Sequence, residues 1–129
     1  MSTPPPGFVV LESSPFSGLV GPLHVNDDGV LGVHVRDEHR NTLGTAHGGF
    51  LMTLADIAAG RTARHAIGEG AVVRTVSSTV DFLSAAAVGS WLEVATTVDR
   101  VGRRAVFTSC RVTSAGTTVA RASFVLLRA

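Results

Sequence analysis

The segment "NTLGTAHGGFLMTLADIAAG", residues 41 to 60, is the part of the sequence that decides the fold. Fifteen uncharged residues run from Asn41 through Ala55, the single carboxylate of Asp56 follows, and no further charge occurs before Arg61. From Gly48 to about Ile67 the chain is rich in Leu, Met and Ala and lacks proline, which predicts one long helix. The glycines of "GEG", residues 68 to 70, are suited to cap its end.

The predicted helix is apolar in every direction, whereas a surface helix has a polar stripe. The residues concerned are Phe50, Leu51, Met52, Leu54, Ala55, Ile57, Ala58 and Ala59. The pattern therefore predicts a helix that is enclosed on all sides, with Asp56 among apolar neighbours. Because an unpaired buried carboxylate is costly, Asp56 has to be paired, hydrogen-bonded or used in chemistry. Arg61 or Arg64 could be its ionic partner.

Strand patterns flank this helix on both sides. Before it, "GLVGPLHV" and "VLGVHVRD" predict two strands around a turn at Asp28-Gly29. After it come four runs dense in Val, Thr and Phe, at residues 71–83, 90–101, 103–114 and 117–127. Turns at Gly89, Gly102 and Gly116 separate these four runs and predict consecutive strands in an antiparallel meander. One long central helix wrapped by a curved antiparallel sheet of about six strands is an α+β arrangement and suggests the hotdog fold.

Composition indicates one globular domain of 129 residues, with 45% hydrophobic and 16% charged residues. A net charge of +1 argues against a nucleic-acid partner. The single cysteine, Cys110, excludes an internal disulfide and favours a reducing compartment. We expect it to be a small buried strand residue.

Pro4, Pro5 and Pro6 predict a flexible arm without regular structure over residues 1–15, followed by the hotdog domain over residues 16–129. The start of the chain lacks the pattern of a signal peptide, and no apolar run reaches the roughly 20 residues of a membrane span. We therefore expect a cytoplasmic protein with no membrane partner.

The start of the helix has its own chemistry. The first four N–H groups of a helix lack partners within it and carry partial positive charge. Gly48 and Gly49 offer such groups without a side chain in the way, as an oxyanion site requires. Two glycines could equally serve close packing of the helix on the sheet, and His47 could be a structural residue at the helix start.

The spacing of Gly48 and Asp56 predicts a site shared between subunits. Eight residues of helix separate them by ~12 Å, which is too far for one amide and one carboxylate to act on the same carbonyl. A two-fold dimer with antiparallel helices would place Asp56 of one chain beside Gly48 of the other.

The pattern N-x-x-G-x-x-H-G-G-x-x-x-x-L-x-D-x-x-x-G, from Asn41 to Gly60, resembles the signature of hotdog-fold acyl-CoA thioesterases of the phenylacetyl-CoA thioesterase type. "VDFLSAA" and "VGRR" are also similar to that family, and the resemblance extends from about residue 16 to 128. It implies an enzyme that hydrolyses an acyl- or arylacyl-CoA to the free acid and CoA. The sequence itself offers no convincing set of metal ligands and no dinucleotide-binding motif, so we expect no metal and no cofactor. The resemblance also implies a homodimer or a homotetramer with sites at the subunit interface.

The resemblance assigns roles to matching positions. Asp56 corresponds to the residue that activates water or attacks the thioester, and Gly48 to the amide that polarises its carbonyl. Asn41 and His47 correspond to residues that orient the thioester and the carboxylate, and Thr75 to a hydroxyl that helps to hold the water.

The sequence identifies substrate-binding residues less specifically than catalytic ones. Gly49 and Phe50 lie near the predicted site, as do Met52 and Leu54. Arg100, Arg103 and Arg104 could bind the phosphates of CoA or form a solvated turn.

Two alternative functions and one candidate metal-binding segment remain at this stage. A hotdog hydratase or dehydratase would use His with Asp or Glu, but its usual Asn-Pro-x-His segment is missing. A non-catalytic acyl-CoA sensor would need a fused effector. "HVRDEH", with His34, Asp37, Glu38 and His39, contains side chains that can bind metals, but its position predicts a solvated turn.

Overall fold

A computed structural model describes residues 3–129 as one antiparallel sheet and one long helix. Seven strands form the sheet in the order β1-β2-β3-β5-β6-β7-β4. The elements in chain order are β1 (Val9–Leu11), α1 (Pro15–Val20), β2 (Leu23–Val25), β3 (Leu31–His34), a 3-10 turn (Asp37–His39), α2 (Gly48–Ile67), β4 (Val73–Phe82), β5 (Trp91–Val101), β6 (Ala105–Ser114) and β7 (Thr117–Arg128). The predicted α+β class with one long central helix is confirmed.

Helix α2 has the bounds that its sequence predicts. Gly68 caps its end with φ of 134°, a conformation open to glycine, and its N–H donates to the carbonyl of Arg64. The helix buries one stripe against the inner face of the sheet, and Leu54 in this stripe is fully buried. Burial of such a leucine stabilises the fold by about 1.5–3 kcal/mol.

The prediction that α2 is enclosed on all sides is wrong for the single chain. Met52 is 41% exposed, and both Gly49 and Asp56 are exposed. The sheet covers only one side of the helix, so Met52 on another side faces solvent. Asp56 is an exposed carboxylate and not a buried one.

The beginning of the chain contains more structure than its prolines predict. Val9–Leu11 pair with β2 as an edge strand, so the expectation of an arm without regular structure is wrong at these residues. The segment predicted as one strand, "GLVGPLHV", is divided between α1 and β2, with Ser14 capping α1. Residues 1 and 2 of the expected arm lie outside the described part of the chain.

The four late strands have the predicted ranges to within two residues, but the first of them has a neighbour that the sequence does not predict. Strands β5, β6 and β7 form a meander, whereas β4 pairs with β7 and lies at the far edge of the sheet. The chain crosses from β4 to β5 through residues 83–90, so the expected four-strand meander is wrong for β4. Among the described residues, one edge of β4 is consequently left without a neighbouring strand.

Within residues 3–129, no helix has the length and apolar character that a membrane crossing requires.

Candidate active site

The start of α2 combines a histidine cap with open backbone amides. His47 is the N-cap residue, and its Nδ1 accepts the N–H of Gly49 at 2.8 Å. Among the hydrogen bonds of residues 3–129, none uses the N–H of Gly48 or of Phe50. The amide of Gly49, which the sequence offers as an open donor, is thus occupied by His47, while the amide of Gly48 is available to an oxygen of a ligand.

Gly48 is also a site of close packing. A Cβ atom built on Gly48 would lie 3.2 Å from Cζ of Phe82, the last residue of β4. Phe82 is 51% exposed, so its ring forms an open apolar wall beside the Gly48 amide. Both functions that the sequence allows for this glycine, the bare amide and the close approach, therefore occur at the same residue.

Asp56 and Thr75 meet across the helix–strand contact. The hydroxyl of Thr75 on β4 donates to Oδ1 of Asp56 at 2.6 Å, the length of a hydroxyl–carboxylate hydrogen bond. No salt bridge joins Asp56 to Arg61 or Arg64 within residues 3–129. Oδ2 of Asp56 has no hydrogen-bond partner among these residues, so it can accept a proton or bind water.

Asn41 organises the loop before α2. Its Oδ1 accepts the backbone N–H groups of Leu43 and Thr45, and its Nδ2 donates to the hydroxyl of Thr45 at 3.0 Å. The side chain therefore holds the loop that leads to His47. A cavity of about 400 Å³ at this place is lined by Asp37, Arg40, Asn41, Thr42 and His47.

The predicted residues form two groups in the single chain. Asn41, His47, Gly48, Gly49 and Phe50 lie at the start of α2, and Asp56 with Thr75 lies two turns further along. Thr75 on β4 pairs with Leu126 on β7, and Leu126 pairs in turn with Val106 on β6. Arg103 and Arg104 are exposed in the turn that precedes β6, at the same end of the sheet as Thr75.

The interpretation of "HVRDEH" as a solvated turn is wrong for its histidines. His39 is 5% exposed, and its ring stacks on Phe50 with centroids 3.8 Å apart. Burial, followed by the nearby Arg36 guanidinium, lowers the pKa of His39. Burial and the neighbouring His24 likewise lower the pKa of His34, which packs against Trp91.

In the described part of the chain, no group of three or more His, Cys, Asp or Glu side chains is arranged to bind a metal ion.

Comparison with known proteins places this geometry in a family. The sequence profile of the Thioesterase superfamily matches residues 43–121, which include α2, Asp56 and Thr75. The chain belongs to this superfamily. It is a thioester hydrolase. The family assignment confirms the resemblance that the motif around Gly48 and Asp56 indicates.

Similar proteins support the assignment along the whole chain. The Pseudomonas aeruginosa protein named "Putative esterase PA0474" is 40% identical over 97% of this chain and 97% of its own length. A mutant of the phenylacetic acid degradation protein PaaI from Thermus thermophilus is 30% identical, covers 90% of this chain and all of its own, and superposes with a TM-score of 0.78. A Streptococcus pneumoniae hypothetical thioesterase with coenzyme A is 27% identical, covers 78% of this chain and 77% of its own, and has a TM-score of 0.72.

Sequence reasoning missed three residues of this region. Phe82 is part of "VDFLSAA", but nothing in that string reveals that it contacts Gly48. Arg40 borders the cavity beside His47, and its position directly before Asn41 was the available signal. The sequence indicates for His39 a side chain that can bind metals and, with more weight, a place in a solvated turn, whereas its contact with Phe50 depends on tertiary packing.

Proposed function

We propose that this thioester hydrolase is an acyl-CoA thioesterase in which Asp56 activates the hydrolytic water. The observation that carries the proposal is the Thr75–Asp56 hydrogen bond of 2.6 Å, which orients a carboxylate whose other oxygen accepts no hydrogen bond from residues 3–129. The open amide of Gly48 at the helix start supplies the second element that acyl transfer requires. The similar protein from Streptococcus pneumoniae that was solved with coenzyme A supports CoA as the thiol.

The reaction follows from these two groups. Asp56 accepts a proton from water as the water oxygen attacks the thioester carbonyl, and the carbonyl oxygen becomes an oxyanion bound by the N–H of Gly48. When the carbonyl re-forms, the carbon–sulfur bond breaks, and CoA leaves as a thiolate that takes up a proton. Direct attack by Asp56 would instead give an anhydride, and hydrolysis of that anhydride at the Asp56 carbonyl during one turnover in ¹⁸O-water would place the label in Asp56.

We propose that each active centre is shared by two chains of a homodimer. Gly48 and Asp56 lie ~12 Å apart along one helix. The free edge of β4 and the exposed side chains of Met52, Val76 and Phe82 offer a surface for a second copy. A two-fold axis between antiparallel α2 helices would bring Asp56 of one protomer to Gly48 of its partner. Two such dimers could form a tetramer.

The remaining roles follow from position. His47 and Asn41 hold the helix start, and Phe50 and Gly49 border the thioester. Arg103 and Arg104 lie at the end of the sheet where β4 begins, so they are candidates to bind the phosphates of CoA.

The test of the function is hydrolysis by the purified protein, followed by release of free thiol. Acetyl-CoA, a medium-chain acyl-CoA and phenylacetyl-CoA form the panel. Asp56→Asn should retain fold and oligomeric state but lower kcat at least ~100-fold, because a general base is lost. Glu69→Gln, which changes an exposed carboxylate just beyond α2, is the matched control. A folded Asp56→Asn protein with nearly wild-type activity would remove Asp56 from the mechanism.

The shared site is tested by mixing two inactive proteins. One carries Asp56→Asn, and the other carries His47→Ala with Gly48→Pro, which removes an amide donor. If sites span a two-fold axis, each mixed dimer has one site with both lesions and one with neither. Activity should then return to about a quarter of wild type from the statistical share of mixed dimers. Mixed dimers that native mass spectrometry verifies but that remain inactive would place each site within one chain.

A further inference from the structure

His39 connects the surface turn before the active-site loop to the first turn of α2. Its ring lies flat on the ring of Phe50, with centroids 3.8 Å apart and planes inclined by 8°. Phe50 is the third residue of α2 and follows Gly48 by two positions. A shift of the Phe50 ring would therefore move the helix turn that presents the Gly48 amide.

The backbone of His39 reaches the same helix start. Its carbonyl accepts the N–H of His47 at 2.8 Å, and His47 caps α2 through the Gly49 amide. One residue thus supports the helix cap through its main chain and the first turn through its side chain. Substitution of the side chain leaves the main-chain bond in place, so the contribution of the ring can be measured separately.

A backbone hydrogen bond selects one tautomer of the neutral His39 ring. Its Nδ1 accepts the backbone N–H of Arg36 at 2.9 Å, so the neutral ring carries its proton on Nε2. The Arg36 guanidinium lies 3.5 Å from Nε2. Burial and Arg36 lower the pKa of His39, while the carbonyls of Val20 and His34 and the carboxylate of Glu38 oppose them. From α2 the ring meets only the uncharged Phe50.

We propose that His39 is a positioning residue, whose neutral ring holds Phe50 and thereby places the Gly48 amide for catalysis. The proposal rests on the function proposed above and adds a residue that does not contact the substrate. A proton on Nδ1 removes the acceptor for the Arg36 N–H and sets two cations side by side. Protonation of His39 therefore loosens the first turn of α2 and lowers turnover in acid.

Activity tests use three substitutions. His39→Ala removes the stacked ring and should lower kcat roughly 10- to 100-fold with a smaller change in KM, as expected when a catalytic donor is misplaced. His39→Phe restores an aromatic ring without an ionisable group and should recover most of the lost kcat at pH 8. His65→Ala, at an exposed position near the end of α2, should leave kcat unchanged.

The pH profile separates positioning from a merely structural role. Arg36→Gln removes the cation beside His39 and should move the acid limb of kcat to higher pH. The double variant Arg36→Gln with His39→Phe should lose that movement. Folding of each variant is checked by circular dichroism. A folded His39→Ala protein with wild-type kcat would overturn the proposal. An acid limb of kcat that Arg36→Gln moves equally in proteins with His39 and in proteins with His39→Phe would also overturn it.

A spectroscopic measurement is independent of activity and of the proposed substrate. In NMR spectra of the wild-type protein, the amide signals of Gly48 and Gly49 should titrate with the midpoint of the His39 ring proton. In His39→Phe they should show no such step. Amide signals that stay constant while His39 titrates would refute the positioning role even if acyl-CoA hydrolysis is confirmed. A coupled titration in a protein without thioesterase activity would support the positioning and refute only the proposed function.

Discussion

Substitution of Thr75 by valine tests the hydrogen bond on which the proposed mechanism depends. The Thr75 hydroxyl donates to Oδ1 of Asp56 at 2.6 Å, and valine has the same branched shape without the hydroxyl. A hydrogen bond to a charged group contributes about 1.5–3 kcal/mol. Both residues are exposed, so solvent places the loss near the lower end of this range.

A loss of about 1.4 kcal/mol in transition-state stabilisation corresponds to a tenfold slower reaction. We therefore expect Thr75→Val to lower kcat about tenfold, with KM nearly unchanged because the hydroxyl orients Asp56 and does not hold the substrate. The steady-state assay measures thiol release from the best acyl-CoA of the panel at saturating concentration. Melting temperatures should agree within a few degrees, since valine suits an exposed strand.

Two variants serve as controls for this prediction. Thr75→Ser keeps the hydroxyl and should retain most of the activity. Ser77→Ala removes a hydroxyl from the opposite face of β4 and should have no effect, because Ser77 pairs with Val125 on the side away from α2. A Thr75→Val protein with kcat within twofold of wild type would show that this hydrogen bond does not position Asp56.

Three further predictions follow from buried and titratable groups. Because the pKa values of His34 and His39 are lowered in the fold, the unfolded chain binds more protons below the ordinary value of 6.5, and the free energy of unfolding should decrease as pH falls through that range. Urea unfolding between pH 5 and 8 measures this, and a flat profile would contradict it. Burial raises the pKa of Cys110 to about 11, so Ellman's reagent should detect no protein thiol in the native state and one after denaturation. Turnover should persist after chelation with EDTA. If activity is lost on chelation and a divalent ion restores it, the prediction is wrong, and His34 and His39 become candidate metal ligands.

The sequence by itself predicts the central helix and its chemistry because those signals are local. Hydrophobic content and the absence of proline predict a helix from Gly48 to about Ile67, and the glycines that follow predict its end; α2 has these bounds. Alternation of Val and Thr with polar residues gives the extents of β4 to β7, since residue type reflects a half-buried strand surface. The spacing of Gly48 and Asp56 predicts a distance because helix geometry is fixed.

Tertiary structure decides the features that depend on contacts between distant segments. Three such features follow from how the sheet closes around one side of the helix. They are the position of β4 beside β7, the exposure of Asp56, and the pairing of Val9–Leu11 with β2. The contacts of Phe82 with Gly48, Thr75 with Asp56 and His39 with Phe50 join residues that are between 11 and 34 positions apart. Local residue patterns carry no information about such pairs, because their free energy arises only when the folded chain brings the two side chains together.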